Sequence, residues 1–348
     1  MQAHRDDEAV DAFRELRPRV SSVAPDLDLR TLTGQAWSHL TLGQIDEAVA
    51  LLNEARSIAE GEAFTDVERA DVLFRLGVAR YHLSSISTAT ALLGEALALA
   101  ERSGLPCDGL RANIFGWRSR CYRRQRDWQA AREDVERALE LARHLTDPRA
   151  AADANFLASV VAEREGHWVL ARTYAERAKA LYEDLADRAN VGRLLNNIGG
   201  LTYLLGKPEE AIEYLKDAFR IALELGDDAE AGQYVSSLAE VHLGIGEHER
   251  AEAHARHALA LLSERQDYLQ EIGIAQLTLG KAVLALDRLP EAEEHLASAD
   301  KSFEQLSSVS HRAAAWIAMG DLAARRGDDR EAGRLYRRAA EALQDFRF

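Results

Sequence analysis

The sequence predicts an all-α solenoid of eight stacked helix hairpins, and three observations carry that prediction. A thirteen-residue pattern, G-x-x-x-E-A followed seven residues later by a second alanine, returns along the 348-residue chain. Its inner alanine falls at Ala48, Ala89, Ala131, Ala171, Ala211, Ala251, Ala292 and Ala332, in steps of 41, 42, 40, 40, 40, 41 and 40 residues. The composition is rich in Ala, Leu, Glu and Arg with only six prolines, which favours helix and leaves few β-branched runs for strands.

The elements follow in chain order. Residues 1–26 hold an amphipathic leading helix, "DDEAVDAFREL", expected to break at Pro18, and a linker. The first repeat motif is "GQIDEAVALLNEA" from Gly43, followed by "SSISTATALLGEA" from Ser84 and "RDWQAAREDVERA" from Arg126. "GHWVLARTYAERA" from Gly166, "GKPEEAIEYLKDA" from Gly206 and "GEHERAEAHARHA" from Gly246 continue the series. "DRLPEAEEHLASA" from Asp287 and "GDDREAGRLYRRA" from Gly327 complete it. Two small residues seven apart share one helical face and admit a close neighbour. Upstream of each later motif lies another amphipathic stretch with a small residue at Gly77, Ser119, Ser159, Gly199, Ala239, Gly280 or Gly320, seven residues before the turn position each time. Each unit therefore reads as helix–turn–helix, unable to bury its faces alone. Pro208 and Pro290 fall in the first turn of a second helix, where a missing N–H costs little. Pro106 and Pro148 punctuate connections. The repeats are expected over 27–343 and a tail over 344–348, with Phe346 and Phe348 folding back over the last apolar face or meeting a second subunit.

A formal net charge of −15 opposes nucleic-acid binding by the whole surface, because phosphate attachment rests on clustered positive charge. Cys107 and Cys121 have no metal or redox spacing, and no signal-like or membrane-length apolar run occurs, so a cytoplasmic protein is expected. No phosphate-binding loop, nucleophile elbow or H-E-x-x-H motif is present. His254 and His257 are three apart but lack a third ligand, and a solvated helix face is the simpler account. No catalytic residue, metal or cofactor is expected.

The small residue, turn glycine and paired alanines resemble the tetratricopeptide repeat (TPR), over Leu29–Leu343. The resemblance is to its longer forms, as in kinesin light chain and bacterial peptide-sensing regulators. It implies a right-handed superhelix whose first helices line a concave face that binds peptides or extended protein segments. On that register the groove residues are Phe74, Tyr81, Asn113, Arg120, Arg123, Arg124, Phe156, Arg164, Arg193, Asn196, Asn197 and Tyr203. In "LLNNIGGL", Asn197 matches the asparagine that bonds a bound peptide's backbone in the long-repeat family; the plainer account is a helix-surface asparagine. Trp128, Trp168 and Trp316 read as framework, whereas Trp37 fits core or groove.

One segment departs from the acidic background. Residues 111–126 carry six arginines and no acid. Arg120, Arg123 and Arg124 share a stripe by their spacing. They are either neutralised by acids of neighbouring repeats or open to an anionic side chain, a C-terminal carboxylate or a phosphate; no second basic segment extends a nucleic-acid footprint. Arg118 stands where other units are apolar, so either the helix is rotated or a buried acid meets it. The late segments "SFEQLSSVSHRAAAWIAMGDLAARRGD" and "LYRRAAEALQDFRF" resemble the C-terminal part of actinobacterial XRE-type helix-turn-helix regulators. Residues 1–26 are too few for the DNA-binding domain of that family. The function expected is a noncatalytic scaffold for a protein or peptide segment, with an acidic segment as one option and a homodimer through the C-terminal repeat as a further one. The alternative is the ligand-sensing part of a bacterial transcriptional regulator.

Overall fold

The computed structural model describes residues 2–21, 24–262 and 268–344. Phe346 and Phe348 lie outside them, so the expected lid is not addressed. Among the described residues there are seventeen α-helices and no strand. A leading helix, α1 (Gln2–Val20), precedes sixteen further helices. These are α2 (Pro25–Thr41) with α3 (Ile45–Ala59), α4 (Asp66–His82) with α5 (Ile86–Arg102), and α6 (Asp108–Gln125) with α7 (Trp128–Ala142). Then come α8 (Pro148–Arg164) and α9 (Trp168–Asp184), α10 (Arg188–Leu204) with α11 (Pro208–Leu225), and α12 (Asp228–Gly244) with α13 (His248–Leu262). The last are α14 (Leu269–Ala285) with α15 (Leu289–Gln305), and α16 (Val309–Arg325) with α17 (Asp329–Gln344). The chain divides into two compact units, Met1–His167 and Trp168–Phe348, so α8 belongs to the first and α9 to the second. The sequence foresaw one uninterrupted array there, because the fourth motif is as regular as its neighbours.

The turns show why the motif begins as it does. All eight opening residues have left-handed backbone: Gly43, Gly166, Gly206, Gly246 and Gly327 at φ between 75° and 81°, and Ser84, Arg126 and Asp287 between 57° and 62°. In each, the amide of the next residue bonds back five residues, as from Gln44 to the His39 carbonyl (2.9 Å) and from Lys207 to that of Thr202 (3.1 Å). This is the Schellman closure, which satisfies carbonyls that the helix end would orphan. The second helix then starts at once, with Pro208 at its first position in α11.

Packing inside a pair depends on the small residues. The inner alanines Ala48 to Ala292 are fully buried and Ala332 is 4% exposed. A Cβ on Gly199 would lie 2.7 Å from Leu215 Cγ, so α10 and α11 approach at a distance only glycine permits. In the first unit, the core runs from Ala36 through Leu73, Leu93 and Ile114 to Ala154. A smaller cluster joins Leu29 and Leu32 of α2 to Ala55 of α3, Phe64 and Val72 of α4. In the second unit, Leu215, Leu238 and Ala258 form one cluster, Leu279, Leu296 and Phe303 another, and Trp316 with Leu335 closes the last pair.

Helix α1 does not break at Pro18; it continues to Val20. Pro18 lies in its last turn, and Arg17 just before it bonds Asp28 (3.3 Å) and Glu54, tying the helix end to α2 and α3. Arg118 meets a buried acid: Nε and Nη2 each donate to Asp134 at 2.7 Å, and Asp134 is only 4% exposed. Trp316 is core, as expected, but Trp168 is 40% exposed. Trp37 packs at the core edge, 6.4 Å from Phe74, with Arg75 over its ring.

Candidate functional site

Within the first unit, the first helices α4, α6 and α8 lie side by side, and their matching register positions converge. Tyr81, His82 and Trp117 form a cluster with ring centroids 5.4–5.8 Å apart. Arg120 lies over Trp117 at 4.9 Å, and Arg124 over Tyr81 at 5.9 Å. Such placement keeps a guanidinium beside a ring face without consuming its hydrogen-bond donors. Arg123 is half-buried among them, and its enclosed Nε has no hydrogen-bond partner. Burial and the Arg120 charge push Arg123 below the usual arginine range, opposed by Tyr81 and by Glu163 on α8. Glu163 reaches Arg123 by charge alone, without a hydrogen bond, and burial holds its carboxyl above the usual range. His82 is pushed down by burial and then by Arg120, which keeps it neutral. Asn113, Trp117, Arg120 and Asp153 line a narrow cleft between α6 and α8.

The segment 111–126 thus separates into roles. Arg111 pairs with Asp108 (3.1 Å) and Arg118 with Asp134, while Arg126 forms the turn. Neutralisation by neighbouring acids accounts for Arg111 and Arg118. It does not account for Arg123 and Arg124, which form no ion pair among the described residues.

Within the second unit, α10 presents a different surface. Asn196 and Asn197 are half-buried; the Asn196 Oδ1 is enclosed and lacks a partner, and the Asn197 amide has no hydrogen bond among the described residues. A Cβ placed on Gly200 would meet nothing within 4 Å, so open space lies beside the two amides. Arg193 is engaged instead, donating to Glu230 at 2.8 Å. Further along, Glu240 on α12 is held above the usual range by burial and eased by Lys281 on α14.

Of the residues expected in the groove, Tyr81, Asn113, Arg120, Arg123 and Arg124 come together in the first unit, with Phe156 half-buried on α8. Arg164 is instead laid over Trp128 at 5.1 Å. Phe74 is corrected: it is 6% exposed and packed on Trp37, so it presents no open surface. Tyr203 is half-buried, with its hydroxyl against Gly244 of α12, where a Cβ would come within 1.8 Å of it. Trp117 and Gly200 were not singled out. Trp117 precedes Ser119 by two residues, as Asn197 precedes Gly199, and that shared register could have found it. The His254 ring stacks on His242 at 5.2 Å while His257 meets Phe219 at 5.5 Å, so different neighbours occupy the two imidazoles. No group of three His, Cys, Asp or Glu among the described residues is placed to hold a metal. No described helix is long and apolar enough to cross a membrane.

Comparison with known proteins places this geometry in context. Residues 190–264, spanning α10 to α13, match the tetratricopeptide repeat family model. No curated protein matches the sequence. Among solved structures, the apo form of the quorum sensor NprR from B. thuringiensis is similar, with a TM-score of 0.70 and 16% identity. The match covers 98% of this chain and 95% of that one. The Rap conjugation gene regulator of plasmid pLS20, in complex with the Phr* peptide, has a TM-score of 0.62 and 13% identity, over 97% of this chain and 95% of that one. Aspartyl phosphate phosphatase F from Bacillus subtilis has a TM-score of 0.66 and 14% identity, over 99% and 94%. At these identities the likeness is one of fold: a TPR-type helical repeat.

Proposed function

We propose that the chain is a noncatalytic scaffold that binds an extended peptide or protein segment along its first-helix faces. The observation that carries this reading is the surface of α10, where two half-buried amides lie beside the bare Gly200. A buried carbonyl oxygen without a partner, such as Asn196 Oδ1, is costly, by about 1–3 kcal/mol. An extended backbone offers an N–H and a C=O on each residue, and an amide side chain answers both. Gly200 leaves room for that backbone to approach. The Rap regulator of similar fold was solved with a peptide, which supports the reading by analogy of fold. A cytoplasmic location agrees with such a role.

A sensing role is the second reading, favoured by the fold shared with a protein described as a quorum sensor. Bound peptide would then bias contacts with another domain or subunit, as expected of the sensing part of a transcriptional regulator. Selection of a displayed random-peptide library against the full chain tests the first reading. Wild type should enrich a peptide set that the Asn196→Ala/Asn197→Ala variant does not retain. Equal enrichment by both proteins contradicts it.

A further inference from the structure

The surroundings of Arg123 are chemically specific. Arginines within one surface cluster usually find acids, as Arg111 and Arg118 do on the same helix. Arg123 shares with Arg111 an enclosed Nε with no acceptor, but it has no ion pair among the described residues and lies beside a second cation, Arg120, that raises its energy. Glu163, on the facing helix, is near enough to attract it but forms no hydrogen bond with it. An unpaired guanidinium fork held among aromatic rings suits an external oxyanion, because two parallel N–H bonds match a planar carboxylate.

We propose that Arg123 and Arg120, with Tyr81 and Trp117 as an apolar wall, form a receptor for a carboxylate borne beside an apolar or aromatic group, such as the last residue of a peptide with a free C-terminus. The peptide source rests on the proposed function; the anion site itself does not. The apolar wall selects a carboxylate carried beside an apolar group over a free phosphate. Glu163 faces Arg123 from α8, and Arg120 lines the cleft between α6 and α8. The ring cluster of Tyr81, Trp117 and neutral His82, with centroids within 5.8 Å, offers apolar surface to the group next to the carboxylate. Glu163 acts as the internal competitor for Arg123, and its raised ionisation range fits an acid that yields the place readily.

The test uses the full chain, labelled with ¹⁵N, and the arginine Nε–Hε resonances; the Arg123 signal is identified by its loss in Arg123→Gln. Titration with N-acetyl-phenylalanine should shift that signal saturably, whereas N-acetyl-phenylalanine amide should not. Arg123→Gln should also remove the accompanying shift of the Trp117 indole N–H, and Arg137→Gln, on the exposed face of α7, should leave both shifts intact. Glu163→Gln should tighten binding at least threefold, a gain that a merely structural role would not give. An equal response to the amide, or a Trp117 shift that survives Arg123→Gln, overturns the proposal, as does unchanged or weaker binding in Glu163→Gln. Inorganic phosphate shifting Arg123 while N-acetyl-phenylalanine does not would overturn the choice of carboxylate. None of these titrations uses a peptide, so failure of the peptide-binding reading leaves their outcome intact.

Discussion

Arg118 and Arg123 are five residues apart on one helix and have opposite fates. Arg118 replaces the apolar residue of its register and is held by Asp134, a carboxylate that burial pushes above its usual range despite the arginine. Breaking a buried pair from one side leaves the other charge uncompensated. Arg118→Ala should therefore cost about 3–5 kcal/mol, whereas Arg118→Met with Asp134→Leu should be near neutral or stabilising. Urea denaturation of the three proteins checks this. Glu163 permits a second prediction. Its folded-state pKa is raised, so its ionisation weakens the fold as pH rises through the usual carboxylate range. Glu163→Gln should be more stable than wild type at neutral pH, and the gap should close below the unperturbed glutamate value of about 4.3. A gap that persists or widens on acidification contradicts the assignment. An acid for Arg118 was foreseeable, since a charge at an apolar register needs a partner. The enclosure of Arg123 was not, because it depends on rings contributed by α4 and an acid from α8.

At the level of elements, the repeat motif is a statement about turns and close approach. Gly206 is needed for its left-handed backbone alone, since a Cβ there would touch nothing. Gly206→Ala should cost about 1–2 kcal/mol, and Ser84→Gly should recover a similar amount, read as opposite shifts in denaturation midpoint. Gly199 is needed for space, because Leu215 fills the position a Cβ would take; Gly199→Val should cost about 1–3 kcal/mol by overpacking. Ion pairs between neighbouring repeats of the second unit include Arg172 with Glu210 (2.6 Å), Arg288 with Glu252 (2.7 Å) and Arg326 with Glu293 (2.7 Å). Exposed pairs of this kind contribute little singly, about 0–1 kcal/mol. Sequence periodicity located the seven hairpins that lie inside the two units because it records contacts within a pair. It misplaced Phe74 because its burial depends on the neighbouring pair, through Trp37. Pro18 misled for a similar reason: it deprives α1 of one bond to the carbonyl four residues back, but Arg17 ties the last turn to Asp28 and Glu54 and the helix continues.

On the scale of the molecule, a repeat chain is stabilised by neighbours, so each unit should stand on the contacts it makes internally. Met1–His167 encloses its own core, from Leu29 to Ala154, and residues 1–167 expressed alone should keep a helical circular dichroism spectrum and a cooperative melt. Loss of either would show that the division has no energetic meaning. The division could not be read from the sequence, since the fourth motif keeps both alanines and its turn glycine. The two candidate surfaces fall in different units and differ in chemistry: amides on α10, guanidinium groups and rings on α4 and α6. The first suits a backbone without regard to sequence, and the second a particular anionic group.

The central claim is that the α10 amides hold a peptide backbone. Its most direct test is fluorescence anisotropy of a library-enriched peptide with wild type and with Asn197→Ala, at matched helicity. Loss of two hydrogen bonds at about 1 kcal/mol each predicts roughly tenfold to thirtyfold weaker binding, with little change between low and moderate salt. Equal affinity for the two proteins would contradict the account.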